Sequence, residues 1–425
     1  MGLVFALTLA VIHFDEQISL RALRDLKCVI TDSDLGRHAD LSGCRNSDVM
    51  SALTHLARVP YVKSIQLSRC IVNHSLQQAI SRCSSVTSLR VEHSFYVREP
   101  HCSMQARLCS LGIHASLVLG DMSGFDKLQM LDVDSCHISE SQLASLISGP
   151  QIARVTLRGI TLTDRLARSL AGQISISELR LENATIAASL SVVEALFARG
   201  YEHLEICGWS RARTCQGELL VSNRQFERIR SLTLRSCEFT STEVAALIRA
   251  SRCEKLALSG QPIDDTLGKA ISELSRMWLL DVSDCTISLG PAADLKRCNL
   301  RTIFLTNCVI RNGALHRLPM SDLMTLSLTR SRLDRASKER LEAGVNADSL
   351  DLSDVNLRTE ELVAIIENSN VTEVCLCGLR VDHSLVKALI NAREIVSVNM
   401  IGCKGLTTEH VTLLRECKPV LFVEK

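Results

Sequence analysis

The sequence predicts an α/β solenoid, a horseshoe in which parallel strands line the concave face and helices cover the convex face. Three observations predict this fold. Apolar residues recur with a period of about 24 residues along most of the 425-residue chain. Within each period, strict alternation of apolar and polar residues gives way to helical spacing. A small residue, often cysteine, stands at the same place in many of the periods.

The repeating unit has apolar residues at its first, fourth and sixth positions, often cysteine at the ninth, and isoleucine or leucine at the eleventh. Most steps between units are 23 to 25 residues, and one is 28. Such periods are typical of proteins that stack one structural unit on the next. The first position recurs at Leu128, Ile152, Ile176, Tyr201, Ile229, Cys253, Met277, Leu300, Leu323, Ala347, Val371 and Ile395.

Each unit is predicted to contain a short strand followed by a helix. The run Leu232-Thr233-Leu234 alternates as a strand with one buried face does. Val244, Leu247 and Ile248 then follow at helical spacing. Their apolar stripes are buried only if the strands stack in parallel with all helices on one side. Because a helix is wider than a strand, we expect the stack to bend, with the strands inside.

Serine or threonine often precedes the helical part, with a glutamate beside it. We therefore expect N-caps at Ser241, Thr242 and Thr359, with Glu243 and Glu360 in the first turns.

Eighteen cysteines raise the question of disulfides. Their placement favours free, inward-pointing thiols that pack as small apolar groups in a reducing compartment, so we expect a cytoplasmic protein. Three glycosylation triplets, beginning at Asn73, Asn183 and Asn370, and an apolar stretch from Leu3 to Ile12 point the other way. That stretch also fits the repeat as a first strand, and a signal peptide is the alternative. The cysteines at the ninth position are Cys70, Cys136, Cys237, Cys285, Cys308 and Cys403.

Units such as Leu300-x-x-Ile303-x-Leu305-x-x-Cys308-x-Ile310 resemble the leucine-rich-repeat family, and most closely its intracellular ribonuclease-inhibitor-like and GALA-like subclasses. The resemblance implies divergent repeats over residues 1–61 and a solenoid over 62–425, with an irregular segment near 92–127. Within that segment, His114 is a possible unit start. Units whose ninth residue is neither Asn nor Cys are expected to lack the usual side-chain partner there; the residues are Ile160, Ala184, Gln261, Val355 and Leu379.

The sequence contains no glycine-rich phosphate loop, no nucleophile elbow and no paired metal-binding cysteines. We therefore predict a protein that is not an enzyme, with no cofactor and no metal. The alternative is a zinc site built from His101, Cys102, Cys109 and His114. Cys375 and Cys377 flank Leu376 and are expected to face outward as exposed thiols.

Net charge and the length of the apolar runs argue against two classes of partner, nucleic acids and membranes. Lysine and arginine number 48 against 47 acidic residues, so the net charge is +1 and no basic surface for nucleic acid is expected. No apolar run reaches the roughly 18 residues that span a bilayer, so no membrane partner is expected either.

The concave face is the predicted binding surface. Its charged residues carry both signs, as at Arg90, Glu92, Asp132, Arg158 and Glu182. Near its middle, aromatic and apolar side chains fall together on adjacent strands. Exposed aromatic and apolar residues ringed by charge are typical of an interface, although Trp278 could instead cover a strand edge. The predicted partner-binding residues are Trp278, Leu279, Phe304, Met324, Asp281 and Arg235.

We therefore expect a non-catalytic scaffold that binds a protein partner. One alternative is a structural subunit of a large assembly, because Lys418 to Val423 form a strand without a following helix and neither end shows a strong polar cap. The family resemblance also implies a substrate-recognition adaptor of a ubiquitin ligase, although we find no convincing F-box.

Overall fold

The computed structural model describes residues 16–34, 36–45, 47–97, 107–120, 122–211, 227–290 and 295–423. The chain divides into two compact units. The N-terminal unit comprises Met1–Tyr201 and Trp209–Gly217, and the C-terminal unit comprises Glu202–Gly208 and Glu218–Lys425. Within the described ranges, no helix is long and apolar enough to cross a membrane.

The N-terminal unit contains one main sheet, with β2, β3, β5, β7, β9, β10 and β12 paired in parallel in that order. Its strands are β1 (Val29–Ser33), β2 (Gly36–Asp40), β3 (Val62–Ser68), β4 (Ile71–Val72), β5 (Ser88–Glu92), β6 (Phe95–Val97), β7 (Ser110–His114), β8 (Leu117–Leu119), β9 (Met130–Asp134), β10 (Arg154–Arg158), β11 (Thr161–Leu162), β12 (Glu178–Glu182), β13 (Thr185–Ile186) and β15 (Ser210–Arg211).

The main sheet of the C-terminal unit is also parallel, and β14, β16, β17, β18, β20, β22, β24, β25, β26 and β27 pair in that order. Its strands are β14 (His203–Cys207), β16 (Ser231–Arg235), β17 (Lys255–Ser259), β18 (Leu279–Ser283), β19 (Thr286–Ser288), β20 (Thr302–Thr306), β21 (Val309–Arg311), β22 (Leu323–Ser327), β23 (Arg332–Leu333), β24 (Asn346–Asp351), β25 (Asn370–Cys375), β26 (Ser397–Asn399) and β27 (Val420–Phe422).

Helices cover one face of each main sheet. In the N-terminal unit they are α1 (16–25), α2 (Val49–Leu56), α3 (His74–Arg82), α4 (Glu140–Ile147), α5 (Asp164–Gly172) and α6 (Leu190–Ala198). In the C-terminal unit they are α7 (Ser241–Ala250), α8 (Asp265–Ser272), α9 (Arg335–Glu342), α10 (Thr359–Asn368), α11 (His383–Asn391) and α12 (Thr408–Cys417), with 3-10 helices at Leu295–Arg297 and Ala314–Arg317.

The apolar core lies between strands and helices, as the alternation predicts. In β18, Leu280 and Val282 are buried, whereas Leu279 and Asp281 point to the opposite face. The predicted helical stripe in α7 is confirmed, because Val244, Leu247 and Ile248 are all buried. Strand alternation and helical spacing therefore place the core correctly.

The predicted N-caps are one or two residues too late. Thr240 caps α7, and the Glu243 carboxylate accepts a hydrogen bond from the Thr240 backbone N–H at 2.9 Å. Arg358 precedes α10, where Glu361 accepts from its backbone N–H at 2.7 Å. The glutamate that closes the first turn stands three residues after the cap, so it identifies the cap better than the nearest hydroxyl does.

Cysteines at the ninth position bind the preceding unit. The Sγ of Cys237 donates to the carbonyl of Ile206 at 3.2 Å, and that of Cys308 donates to Val282 at 3.3 Å. All cysteines within the described ranges are free, as the sequence predicts. Gln261 corrects one expectation, since its amide donates to the carbonyl of Cys237 at 3.2 Å and so provides a side-chain partner at this position.

The eighth position is left-handed in unit after unit, which the sequence pattern did not indicate. There, φ is +55° at Asp284, +54° at Asn307 and +57° at Arg330. At most of these positions the conformation turns the backbone N–H toward a carbonyl of the next repeat unit, as in Asp284 to Thr306 at 2.9 Å. The residues are Arg69, His93, Ala115, Ser135, Gly159, Asn183, Gly208, Ser236, Gly260, Asp284, Asn307, Arg330, Asp354, Gly378 and Gly402.

The predicted unit start at His114 is wrong. His114 is the last residue of β7, which pairs in register with both β5 and β9. The buried Leu108 takes the first position instead. The unit before it starts at Val86, so residues 86–107 and 108–127 form two shortened units.

The sheet edges differ in the two units. In the N-terminal unit, β1 runs antiparallel to β2 and most of its residues are exposed, so a polar strand covers that edge. The strand predicted near Lys418 to Val423 is confirmed as β27, and Phe422 is 52% exposed. The strand predicted from Leu3 to Ile12 lies outside the described residues.

Candidate protein-binding surface

The predicted site residues Leu279, Asp281 and Phe304 lie on the face of the main sheet opposite the helices. Each is half-buried and alternates with buried core residues along its strand. Asp281 on β18 is the register partner of Phe304 on β20, so these two side chains are direct neighbours. The structure therefore brings an acidic and an aromatic side chain together at the centre of this face.

Leu279 lies diagonally from Phe304. Its register partner on β20 is Thr302, two residues before Phe304. With neighbouring strands about 4.8 Å apart and about 3.3 Å per residue, the two Cα atoms are roughly 8 Å apart. Their side chains are long enough to form a single apolar patch.

Trp278 and Met324 occupy the margin of the patch rather than its centre. The Lys255 Nζ lies 5.0 Å from the centre of the Trp278 ring, which is cation–π distance. Arg301 follows Trp278 in the next unit and Met324 follows Arg301, as the backbone hydrogen bonds between them show. Met324 is 50% exposed and is separated from Trp278 by Arg301.

Arg235 reaches the patch from two strands away. Its Nη2 lies 3.4 Å from the Oδ2 of Asp281, across the intervening strand β17. Asp281 also accepts a hydrogen bond from the Ser283 hydroxyl at 3.0 Å. The small side chain of Ala257, the register partner of Asp281 on β17, leaves room for this crossing. We define the binding patch as Trp278, Leu279, Phe304, Met324, Asp281 and Arg235.

A row of hydroxyl side chains runs along one side of the binding patch. In five successive repeat units, the residue at the seventh position carries a hydroxyl rather than a charge. Three of these residues lie on β17, β18 and β20, and two lie just beyond the ends of β22 and β24. Asp351 accepts hydrogen bonds from the Thr329 hydroxyl at 2.9 Å and from the backbone N–H of Ser353 at 2.9 Å. The row consists of Ser259, Ser283, Thr306, Thr329 and Ser353.

The corresponding face of the N-terminal unit is a network of ion pairs. Arg158 bridges Asp132 at 2.7 Å and Glu182 at 2.8 Å. His114 Nε2 lies 3.1 Å from Asp132, and Arg90 contacts Glu92 at 2.7 Å. Burial alone would raise the pKa of Asp132, but contact with His114 and the charges of Arg158 and Arg90 outweigh it and lower the pKa. The charged side chains named here are therefore paired with one another.

Most cysteine thiols in the described part of the chain are poor nucleophiles. Burial, with a smaller effect of nearby acidic groups, raises the pKa of Cys308 to about 12 and that of Cys375 to about 11. Cys375 and Cys377 are half-buried rather than exposed, and Cys377 donates to the Asn399 side chain at 3.2 Å. Burial therefore corrects the expectation of two exposed thiols.

The zinc alternative falls partly outside the described residues, since His101 and Cys102 are not described. Cys109 is half-buried, and its Sγ donates to the carbonyl of Arg107 at 3.7 Å. His114 contacts Asp132. In the described part of the chain, no group of three or more His, Cys, Asp or Glu residues could hold a metal ion.

The same features recur in both compact units. Parallel strands pair in register, and a helix or short turn follows each strand. A residue with a left-handed backbone comes directly before the small residue that packs beneath the next coil. The fold is a leucine-rich-repeat solenoid. No family model and no curated protein matches the sequence.

Two solved leucine-rich-repeat structures are similar to the chain. One is the ectodomain of the plant membrane receptor kinase GASSHO1/SCHENGEN3 from Arabidopsis thaliana, in complex with CASPARIAN STRIP INTEGRITY FACTOR 2, at 12% identity and a TM-score of 0.41. That match covers 82% of this chain and 46% of the ectodomain, so the chain spans less than half of the ectodomain's length. The other is a leucine-rich-repeat protein of Leptospira interrogans, at 14% identity and a TM-score of 0.39, covering 87% of this chain and 92% of that one.

Proposed function

We propose that this protein is a non-catalytic scaffold that binds a protein partner through the strand face of its C-terminal unit, at the binding patch. The observation that carries the proposal is the pairing of Phe304 with Asp281, beside Leu279, on a face otherwise rich in small hydroxyl side chains. An aromatic and an aliphatic anchor bordered by charge is the composition of an interface hot spot.

A protein fits this surface better than a nucleic acid does. Tracking phosphates requires a row of unpaired basic groups. On the strand face of the C-terminal unit, Arg235 is paired with Asp281 and Lys255 lies over Trp278. The partly exposed side chains of Leu279 and Phe304 instead suit contact with apolar side chains of a protein.

The proposal of a non-catalytic role in the cytoplasm rests on the thiols. The Cys237 and Cys308 thiols donate to backbone carbonyls, and burial raises the pKa of Cys308 to about 12. Such thiols pack the repeat rather than attack a substrate. Because free, stacked cysteines suit a reducing compartment, we place the protein in the cytoplasm.

We further propose that the repeats are of the ribonuclease-inhibitor-like or GALA-like subclass. The support is the α-helix of 8 to 10 residues that follows the strand in many units, as in α5, α7 and α10.

Co-purification from native cells tests the proposed function. The double variant Leu279→Glu/Phe304→Glu is compared with wild type and with Ile174→Glu, which places the same charge on a side chain that is 80% exposed in the N-terminal unit. We expect the double variant alone to lose a specific partner while its circular dichroism spectrum stays unchanged. An unchanged set of partners would contradict the proposal and favour the structural-subunit alternative. A ubiquitin-ligase component in the lost set would identify an adaptor.

A further inference from the structure

A second surface lies on the small parallel sheet formed by β4, β6 and β8 in the N-terminal unit. Ile71 pairs with Phe95, and Phe95 pairs with Leu117. Val72, Tyr96 and Val118 point into the core and are buried. The alternate residues therefore form the opposite face of this sheet, which we call the outer apolar face: Ile71, Phe95, Val97, Leu117 and Leu119.

Every residue of the outer apolar face is hydrophobic, and much of it meets solvent. Ile71 is 59% exposed, Phe95 51% and Leu119 44%. A contiguous exposed patch of large apolar side chains is unusual on a soluble protein and marks a contact surface.

Equivalent sheets elsewhere in the described chain carry mostly polar residues at the same positions. The sheet of β11, β13 and β15 presents Thr161, Thr185 and Ser210. The sheet of β19, β21 and β23 presents Thr286, Ser288, Val309, Arg311 and Arg332. Because the repeat places a short strand here whatever its sequence, the fold itself does not require apolar residues at these positions.

The segment that carries the outer apolar face is basic. Residues 62–97 and 107–120 contain five lysines and arginines but one acidic residue, Glu92. Glu92 is already paired with Arg90 at 2.7 Å. The exposed Arg69 and His93 stand two residues before Ile71 and Phe95 and share the left-handed position of their units. This local excess of positive charge contrasts with the near-neutral chain as a whole.

We propose that the outer apolar face docks an acidic amphipathic segment of a partner protein. Apolar side chains of that segment cover Ile71, Phe95 and Leu119, and its carboxylates lie against Arg69 and His93. Burial of apolar surface supplies affinity, and charge complementarity sets orientation and excludes basic partners. This surface is separate from the binding patch, and the proposal does not rest on the function assigned to that patch.

A phage-displayed library of random peptides, selected on the full chain, provides the probe. We expect enriched peptides that combine Leu, Phe or Trp with an excess of Asp and Glu. Their affinity should fall at least about tenfold for Phe95→Asp and about threefold or more for Arg69→Gln, and should weaken as salt rises. Thr185→Asp, at the equivalent exposed position of β13, is the matched control and should bind as wild type does.

Three results would overturn the proposal. Enriched peptides that are neutral or basic, or that bind Phe95→Asp as well as wild type, would show that another chemistry or another surface is recognised. A wild-type dimer that Phe95→Asp dissociates would make a second copy the occupant. A large loss of thermal stability in Phe95→Asp but not in Leu119→Asp or Thr185→Asp would show that the chain's own packing covers Phe95. Unchanged stability with lost peptide binding supports the proposal.

Discussion

Arg235 and Asp281 are 46 residues apart in sequence, and their side chains meet at 3.4 Å across an intervening strand. The contact bridges three successive repeat units and places a paired charge beside Phe304 in the binding patch. Because the Arg235 side chain is 50% exposed, solvent screens the pair. The pair therefore matters more for what Asp281 offers to a partner than for the stability of the fold.

Replacing Arg235 with glutamine separates these two roles. We expect the free energy of unfolding to change by less than about 1 kcal/mol, as is usual for an exposed ion pair. The dissociation constant of the protein recovered by co-purification should change by about threefold or more, because Asp281 is left unpaired in the interface. Urea unfolding and titration calorimetry measure the two quantities. A loss of stability without any change in affinity would place the pair outside the interface.

The left-handed eighth position predicts a difference between two glycines. Gly378 and Gly402 have φ of +74° and +69°, but a Cβ at Gly378 would collide with the Asp354 carboxylate, whereas one at Gly402 would meet nothing within 4 Å. Gly402→Ala should cost about 1 kcal/mol, the cost of a left-handed non-glycine residue. Gly378→Ala should cost about 1 kcal/mol more, because Asp354 must move. Equal losses in urea unfolding would contradict this geometry.

Glu361 predicts a pH-dependent contribution to stability. Burial would raise its pKa, but the backbone N–H of Arg358 and the charge of Lys338, 3.1 Å away, outweigh burial and lower the pKa below its ordinary value of 4.5. A carboxylate whose pKa is lowered on folding stabilises the fold above its unfolded pKa, and this contribution is lost as pH falls through the folded pKa. Glu361→Gln should therefore cost about 1–3 kcal/mol at neutral pH and progressively less below pH 4.5.

The exposed Glu360 on the same turn is the matched control for Glu361. Glu360→Gln should change stability by less than about 0.5 kcal/mol across the same pH range. A penalty for Glu361→Gln that does not vary with pH would mean that its carboxylate is not held by Arg358 and Lys338.

Thiol reactivity should be confined to one described position. Cys417 is exposed, whereas burial raises the pKa of most other described cysteines, including Cys253 and Cys308 to about 12. In a background with Cys102→Ser and Cys215→Ser, which lie outside the described residues, Ellman's reagent should react rapidly with one thiol at neutral pH. Cys417→Ser should remove that rapid phase. Several rapidly reacting thiols in this last variant would contradict the burial of the other described cysteines.

The positions of strands, helices and core follow from the sequence because burial imposes a period that apolar residues record directly. The helical spacing of Val244, Leu247 and Ile248 is enough to identify the buried face of α7. The left-handed conformation of the eighth position was not predicted. Its residues, such as Arg69, His93 and Asp284, share a backbone conformation but no side-chain chemistry. Only the positional alignment of all units, with its glycine, asparagine and aspartate at the eighth position, could have suggested it.

The shortened units near residues 86–127 were not predicted because the repeat template has cysteine at the ninth position and about 24 residues per unit. Leu108, Leu111 and Ile113 do satisfy the template, and Ser116 takes the ninth position, where its hydroxyl accepts the Ser94 N–H at 3.1 Å. Serine at this position therefore accepts a backbone N–H of the preceding repeat unit, whereas Cys237 and Cys308 donate to a backbone carbonyl of the preceding one.

The candidate site was only partly accessible to sequence reasoning. The alternation of apolar and polar residues predicted that Leu279, Asp281 and Phe304 point away from the core, on the face of the sheet opposite the helices. The reach of Arg235 over Ala257 and the separation of Met324 from Trp278 by Arg301 depend on which strands are neighbours and in what register. The outer apolar face could not be predicted, because strands of two or three residues are too short to show alternation.

Site-specific photo-cross-linking tests the role of the strand face most directly. A photoreactive phenylalanine analogue replaces Phe304 in one protein and Ile174 in another, and both are irradiated in native cells. We predict a discrete protein adduct from position 304 that disappears when Leu279→Glu is added, and none of the same mass from position 174. An adduct from position 174 but none from position 304 would contradict the assignment of the strand face as the working surface.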